Sequence, residues 1–440
     1  MSSQPATTPP TTDSSRNALH GLPHPEAPWW DGLPPHIATL LAVPDIRTLE
    51  AAQRSGLDVI VVGGGVAGLS AASAAAEAGA RVLLVEATPT LGLGATGRNA
   101  GILSAGINMG ITETPPGSLA AELWPATYQE MLRVHGEASQ PGAILSARRT
   151  GALSLAISLT AARRLEREAR ARNAAGLRAE MWTPQQVAEA TGGRLATVGV
   201  IAAMSLPDEG RLHPLTLLAH LANNARKHGA LLAGRAMVSG MEVERGKGWR
   251  LTLADGPMVT ARALIWAVGP TARPNARLYA LSFAADLPED FPVFWDAAPY
   301  VYYDYRPGDG RMTVSGGRYG APGATHERDA AYHARMAEAA RRWLPELAGQ
   351  EPRWAWGVDL DCSADLLPHL RPLTKSAPGT LWRVERKMTP ARAMSALCEG
   401  EYPAGRINRG IHAASGITTS LATPPSGRGG GWPRASASDR

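Results

Sequence analysis

The feature that most restricts what this chain can fold into is a cluster of three glycines, Gly63, Gly65 and Gly68, with an apolar stretch on each side. Residues 58–62 are mostly β-branched, which predicts a short buried strand, and residues 66–78 are mostly small and apolar, which predicts a helix. Glycines at this spacing allow a sharp turn and a close approach of helix to strand. The pattern therefore predicts a strand that turns directly into a helix.

A second strand is predicted at residues 81–85, and it ends at Glu86. Strand, glycine turn, helix and strand make a βαβ unit, and the free N–H groups at the start of its helix favour an anion such as a pyrophosphate. A carboxylate at the end of the second strand can accept hydrogen bonds from a ribose and disfavours NADP. The predicted contacts to a dinucleotide are Gly63, Gly65, Val66, Ala67, Gly68 and Glu86. The alternative is a structural glycine turn, and this unit alone does not separate FAD from NAD.

A polar loop rich in glycine follows the unit and carries one cation, Arg98. Such a loop can run along an extended cofactor, and the guanidinium can pair with its pyrophosphate. The alternative is an ordinary surface loop. The candidate contacts in this loop are Ala95, Thr96, Gly97, Arg98, Asn99, Ala100 and Gly101.

Composition and charge exclude several other classes of protein. The chain has 440 residues, of which 44% are apolar, so it is long enough for two domains and too apolar for wholesale disorder. Its two cysteines cannot form a disulfide framework or a cysteine-rich metal site, so we expect a cytoplasmic protein without a metal ion. The excess of basic residues lies in residues 381–440, so no nucleic-acid-binding face is expected. No apolar run is long enough to predict a transmembrane segment, and no secretory signal is recognisable.

A second αβ unit is predicted further along the chain, which indicates that the cofactor domain is split in sequence. Pro214 favours the first turn of a helix over residues 214–227, and residues 230–233 begin a strand. The predicted fold class is α/β, with a second, α+β domain. The predicted regions are a disordered leader (1–25), an N-terminal extension (26–56), a cofactor domain (57–115 and 205–275), a helical insert with a substrate domain (116–204 and 276–375) and an atypical, disordered tail (376–440).

Five stretches together resemble the FAD-dependent oxidoreductases of the D-amino-acid oxidase superfamily, which includes glycine, sarcosine and γ-glutamylputrescine oxidases. They are VIVVGGGVAGLSAA with its later Glu86, GATGRNAG, RLHPLTLLAHLANNARKHGA, ALIWAVGP and WGVDLDCSADLLP. The resemblance covers about residues 57–375.

The resemblance implies FAD as the cofactor, held in a Rossmann-like domain. It implies that the first motif holds the ADP part, and that Arg98 and Asn99 run beside the pyrophosphate towards the flavin. It also implies a backbone contact from Val238 to adenine and a small-residue turn at Ala267 and Gly269. The implied reaction is hydride transfer to flavin from a C–N bond of a small amine or amino acid. Oxygen or another acceptor would take the electrons.

The substrate site is expected on a predicted hairpin over residues 301–316, because the family sets a sheet over the flavin. Tyr303 and Tyr305 share one face of a strand and are candidates for the substrate pocket, and Arg318 is a candidate for binding a carboxylate. The alternatives are core packing for the tyrosines and a surface position for the arginine. Relatives that oxidise α-amino acids often carry Arg-Pro after the Trp-Gly pair. Here Val358 and Asp359 follow it, which favours an amine without an α-carboxylate.

The tail departs from the family, since none of its C-terminal flavin-site motifs is recognisable after about residue 375. The tail is rich in Arg, Gly, Pro and Ser, and the chain has many more arginines than lysines, as a GC-rich gene would give. A shifted reading frame is our hypothesis for this segment, and a divergent tail is the alternative. If the missing segment abolishes turnover, the chain is a non-catalytic flavin-binding remnant.

Overall fold

The computed structural model describes residues 27–106, 110–244, 248–254, 256–268, 274–296 and 303–360, together with the backbone of two further strands, His369–Pro372 and Leu381–Glu385. The predicted leader and the end of the tail lie outside the described residues. None of the helices in these ranges is both long and apolar enough to cross a lipid bilayer.

The described helices, in chain order, are α1 Pro35–Leu41, α2 Val66–Glu77, α3 Leu119–Ala138, α4 Leu159–Ala174, α5 Pro184–Ala190, α6 Pro214–Lys227 and α7 His326–Trp343. The strands are β1 Leu57–Val62, β2 Val82–Val85, β3 Ile102–Leu103, β4 Ala147–Arg148, β5 Ala152–Ala156, β6 Glu180–Trp182, β7 Ala202–Leu206, β8 Gly210–Leu212, β9 Leu231–Ala233, β10 Val238–Glu244, β11 Gly248–Leu253, β12 Val259–Trp266, β13 Ala276–Ala284, β14 Val293–Asp296, β15 Tyr303–Gly308, β16 Arg311–Gly320, β17 Trp354–Leu360, β18 His369–Pro372 and β19 Leu381–Glu385.

The first sheet has a parallel centre in the order β9, β2, β1, β12 and β19. Strands β10 and β11 extend it as an antiparallel meander that leads into β12. The predicted βαβ unit is confirmed by β1, α2 and β2, and the predicted second αβ unit by α6 and β9. The α/β fold class is therefore confirmed.

Helix α2 lies close to this sheet because its buried face consists of small residues. Its buried side chains are mainly alanines, such as Ala71, Ala72 and Ala75, and they share a core with Val61 and Leu84 of the sheet. Small side chains let a helix backbone approach a strand closely. This packing brings the start of the helix to the carboxyl end of β1.

The second sheet has the order β17, β13, β16, β15, β14, β5, β7 and β6. One face packs against α7 through a core that contains Tyr279, Phe294 and Met336. The other face packs against Ala100 of the glycine-rich loop and against Ile102, which follows the loop. The predicted hairpin is confirmed by β15 and β16, although its residues 301–302 lie outside the described ranges.

The prediction of a disordered tail is wrong for residues 381–385. These residues form β19, which pairs in parallel with the end of β12, and β18 pairs with β19. The stretch Leu-Trp-Arg-Val-Glu alternates apolar and polar residues, which is typical of a strand. Residues 369–372 and 381–385 therefore belong to the first sheet, whereas the sequence predicts residues 369–372 in the substrate domain.

The region 116–204 is less helical than its sequence predicts. Helices α3, α4 and α5 are present, but β5, β6 and β7 alternate with them and complete one end of the second sheet. Their residues include many alanines and serines, so the strand pattern is weak in sequence. Strand β5 pairs with β14 from a distant part of the chain, and this pairing stabilises a strand whose local propensity is low.

The N-terminal extension is an integral part of the fold. Leu41 of α1 is fully buried in the core that α2 and α6 share, and Ile46 is fully buried on the opposite face of the first sheet. The backbone of Val43 donates to Pro89, and that of Ile46 to Gly234. The segment therefore wraps around the edge of the first sheet.

We expect acid to destabilise the fold partly through His213, which precedes α6 and contacts Trp29 edge to face. Burial lowers its pKa from 6.5 to about 4, and Arg306 and Arg311 act in the same direction. Folding therefore favours the neutral ring, so the stability that it contributes is full above pH 6.5 and is lost as the pH falls towards 4. When the pH falls from about 7 to about 4.5, the free energy of unfolding of His213→Phe should decrease by about 2–3 kcal/mol less than that of the wild type.

Denaturant unfolding at both pH values measures this difference. His36→Phe, at an exposed position, is the matched control and should show the wild-type pH dependence. An equal loss of stability in His213→Phe and the wild type would contradict the prediction.

Candidate cofactor and substrate site

The turn between β1 and α2 has no room for side chains at two positions. Gly63 has a φ of +105°, and a Cβ atom there would lie 2.5 Å from the carbonyl oxygen of Ala267. A Cβ atom on Gly68 would lie 1.9 Å from the carbonyl oxygen of Gly63. The strand, the turn and the first helical turn are therefore in direct backbone contact, which only glycine permits.

Glu86 is held beside this turn by three donors. Its Oε2 atom accepts from the N–H of Gly64 at 2.8 Å, and its Oε1 atom accepts from the N–H and the hydroxyl of Thr88, both at 3.1 Å. The backbone oxygen of Glu86 accepts from Ala236, two residues before β10 begins at Val238. The carboxylate thus has a fixed position at the carboxyl edge of the sheet.

The glycine-rich loop meets the start of α2 through Thr96. A short 3-10 turn, Ala95–Arg98, brings the Thr96 hydroxyl to the N–H of Val66 at 3.3 Å. Asn99 then stabilises the loop internally, because its Nδ2 atom donates to the Thr96 carbonyl at 2.8 Å and its Oδ1 atom accepts from the N–H of Gly101 at 2.8 Å. The loop and the helix start therefore form one surface.

This surface carries positive charge and fits a pyrophosphate. The side chain of Arg98 is half-buried, and within the described part of the chain its guanidinium has no carboxylate partner. The N-terminus of α2 adds a partial positive charge and, apart from the Val66 N–H that bonds Thr96, the N–H groups that a first helical turn leaves without an intrahelical partner. A half-buried cation beside a helix start suits an anionic cofactor, while Glu86 suits a ribose.

The other predicted cofactor residues lie in different surroundings. Ala267 is buried against Gly63, and Ala100 is buried in the core below the second sheet. Gly101 has a φ of +74° and packs against the carbonyl of Leu212. Val238 is half-buried at the edge of the core that contains Val62. Gly269 lies outside the described residues.

Comparison with known proteins agrees with this geometry. A family model described as FAD dependent oxidoreductase (DAO) matches residues 58–397. The chain belongs to this family. Its cofactor is therefore FAD, and the match extends beyond residue 375, where the motifs recognisable in the sequence end.

Solved structures share the fold of this FAD oxidoreductase at low sequence identity. Glycine oxidase from Geobacillus kaustophilus is 20% identical, with a TM-score of 0.62, covering 82% of this chain and 93% of that one. L-proline dehydrogenase from P. horikoshii is 15% identical, with a TM-score of 0.63 and coverages of 85% and 91%. Iminodiacetate oxidase from Chelativorans sp. BNC1 is 18% identical, with a TM-score of 0.59 and coverages of 82% and 94%. A sequence search of curated proteins finds no match.

We call the glycine-rich loop of residues 95–101 the cofactor loop. The structure places the two tyrosine candidates on the face of the second sheet that is turned away from this loop. Tyr305 is fully buried and stacks on Phe294 at 4.5 Å between ring centroids, and Tyr303 packs against the same core on the α7 side. They belong to the core, as the alternative interpretation predicted. Arg318 lies in β16, but its side chain is outside the described residues.

The residues on the loop-facing side are those that alternate with the tyrosines. Asp304 of β15 pairs with Ser315 of β16 and with Trp295 of β14, and Arg306 pairs with Thr313. Asp304 and Thr313 are fully buried, and Ser282 of β13 contacts the Thr313 hydroxyl at 3.2 Å. None of these polar residues is among the candidates predicted from the sequence. The period-2 alternation around the tyrosines is the signal that identifies them.

Two arginines near this sheet have their charge matched by carboxylates. Arg277 of β13 pairs with Asp329 at 2.8 Å and Asp359 at 3.0 Å, and its guanidinium occupies the space beside Gly357. Arg306 pairs with Asp309 at 2.6 Å and donates to the carbonyls of Gly308 and Leu212.

We expect Gly63→Ala to lose FAD, because the new methyl group would push the turn away from Ala267. Gly79→Ala is the matched control, since Gly79 has a similar φ of +90° but no atom within 4 Å of its Cβ position. Both variants should lose about 1–2 kcal/mol of stability through the left-handed φ. Only Gly63→Ala should weaken FAD binding, by at least about tenfold. Fluorescence titration of each apoprotein with FAD measures this, and equal affinities would refute the prediction.

Proposed function

We propose that this FAD oxidoreductase oxidises a C–N bond of a small amine or amino acid. Bound FAD supplies a hydride acceptor. The carbon next to a neutral amine loses hydride, the resulting imine is hydrolysed by water, and oxygen or another acceptor takes up the two electrons. Family membership supports this reaction class, and the names of the similar structures, glycine oxidase and iminodiacetate oxidase, point the same way.

The contribution of the chain itself is a dry and oriented site. On the loop-facing side of the second sheet, Val293 is fully buried, and Met204 and Ala152 are nearly so. Burial away from water favours the neutral form of an amine, which is the form that can lose hydride. The polar residues Asp304, Ser282 and Thr313 lie on the same side. No acid or base of the chain is required for the hydride step.

Within the proposed reaction, an amine without an α-carboxylate is the favoured substrate class. The observation that carries this choice is the pairing of Arg277 and Arg306 with carboxylates. Arg277 faces α7 with two carboxylate partners, and Arg306 is engaged by Asp309 and two carbonyls. A substrate carboxylate needs an unpaired cation to offset its desolvation, and neither of these two arginines supplies one.

We expect an amine to reduce the flavin faster than its α-carboxylated counterpart. Anaerobic mixing of the purified holoprotein with matched pairs, such as putrescine with ornithine and methylamine with glycine, measures the loss of flavin absorbance. Faster bleaching by the carboxylated member of each pair would contradict the proposed substrate class. A flavin that no amine or amino acid in a broad panel bleaches would instead support the non-catalytic remnant.

We expect Asp304 and Tyr305 to respond differently to substitution, because they lie on opposite faces of β15. The Tyr305 hydroxyl is buried and has no hydrogen-bond partner within the described residues. Tyr305→Phe should therefore keep the wild-type rate of flavin reduction and gain up to about 1 kcal/mol of stability. Asp304→Asn should lower that rate at limiting amine by about tenfold, since an amide oxygen accepts a weaker hydrogen bond from the amine than a carboxylate oxygen does. If Tyr305→Phe reduces the flavin slowly and Asp304→Asn reduces it at the wild-type rate, the result would contradict this prediction and indicate a substrate site on the α7 face.

A further inference from the structure

The start of the N-terminal extension contacts the cofactor loop directly. We call residues 27–31 of this extension the anchor segment. Its central residue, Trp29, is fully buried, and its indole Nε1 atom donates to the backbone carbonyl of Asn99 at 2.9 Å. Asn99 lies in the loop that meets the start of α2 through Thr96. A residue far from the glycine motif in sequence thus holds a peptide group of the cofactor loop.

A second indole holds the preceding peptide group from another part of the molecule. Trp356 of β17 is nearly fully buried, and its Nε1 atom donates to the backbone carbonyl of Arg98 at 2.8 Å. Arg98 and Asn99 are adjacent, so two consecutive carbonyls of the loop each accept from a buried tryptophan. One tryptophan comes from the N-terminal extension and the other from the second sheet, which we call the substrate sheet.

The anchor segment is itself tied to the substrate sheet. Arg311 at the start of β16 donates to the carbonyl of Pro28 at 2.7 Å, and its guanidinium lies over the rings of Trp29 and Trp354. The Trp354 indole donates to Asp31 at 3.1 Å, and the Arg306 guanidinium lies 5.0 Å from the centre of the Trp29 ring. Hydrogen bonds and cation–π contacts therefore hold Trp29 and its neighbours against the second sheet.

A hydrogen bond to a backbone carbonyl also fixes the N–H of the next residue, because both belong to the same peptide group. A peptide bond is planar and trans, so the N–H of Asn99 points away from Trp356, and the N–H of Ala100 points away from Trp29. Both N–H groups belong to the loop that carries Arg98. Donors that are fixed before a ligand arrives bind it more tightly than donors that must first be ordered.

We propose that Trp29 and Trp356 are positioning residues for FAD, which fix the peptide groups of the cofactor loop from the N-terminal extension and from the substrate sheet. The N-terminal extension is then a functional part of the cofactor site. This inference rests on FAD as the cofactor and is independent of the proposed substrate class.

The test replaces single indoles by phenyl rings and measures the binding of FAD. Trp29→Phe and Trp356→Phe each keep an aromatic ring, and each removes one N–H donor together with one ring of the indole. Trp343→Phe is the matched control, because its indole also makes one buried hydrogen bond, to Asp296 at 3.2 Å on the α7 side. Fluorescence titration of each apoprotein with FAD gives the dissociation constant. The visible spectrum and the reduction potential of the bound flavin give a second readout, which needs no substrate.

We expect Trp29→Phe and Trp356→Phe to raise the dissociation constant of FAD by about five- to tenfold and to change the flavin spectrum or potential. Trp343→Phe should lose similar stability while the affinity and the spectrum stay at the wild-type values. Wild-type affinity and spectrum in both loop variants would overturn the proposal. If Trp29→Phe does not fold, Arg311→Gln releases Pro28 without altering the indole and should weaken FAD binding in the same direction. Unchanged FAD binding in Arg311→Gln would then count against the role of the anchor segment.

Discussion

The structure depends on how closely the backbone of the β1–α2 turn approaches its neighbours. Gly63 touches Ala267 at the end of β12, and Gly68 touches Gly63, so the carboxyl edge of the parallel sheet carries a helix start with no side chain in front of it. Every other element of the cofactor site is placed relative to this edge. Glu86 is held there by Gly64 and Thr88, and the loop around Arg98 reaches it through Thr96. An anionic cofactor is the partner that this concentration of donors suits best.

The second sheet determines which chemistry can follow. Its two faces differ in character, because aromatic residues such as Tyr305 and Phe294 pack against α7, whereas Asp304 and Thr313 face the cofactor loop. The charges of Arg277 and Arg306 are already matched by carboxylates, so neither arginine is free to bind a substrate carboxylate. Trp356 links this sheet to the loop, and Trp29 links the N-terminal extension to it. The cofactor and substrate regions are thereby mechanically joined.

Much of the fold was predictable from the sequence, because local pattern determines it. The βαβ unit, helix α6 and the hairpin of β15 and β16 each have periodicity and turn residues within one short window. The orientation of the hairpin was not predictable in this way, since alternation shows that Tyr303 and Tyr305 share a face but not which face meets the cofactor. The role of Trp29 was also beyond local pattern, because its acceptor lies 70 residues away. Strand β19 was missed because the composition of the tail outweighed its short alternating pattern.

The central claim is that this chain holds FAD against the helix that starts at the glycine turn. The most direct measurement is the cofactor content of the purified full-length protein, obtained by releasing the bound small molecule with heat and quantifying it against the chain. The account predicts a yellow protein that releases close to one FAD per chain, or a colourless one that takes up one equivalent of added FAD. A protein that neither contains nor takes up FAD but binds NAD stoichiometrically would contradict it.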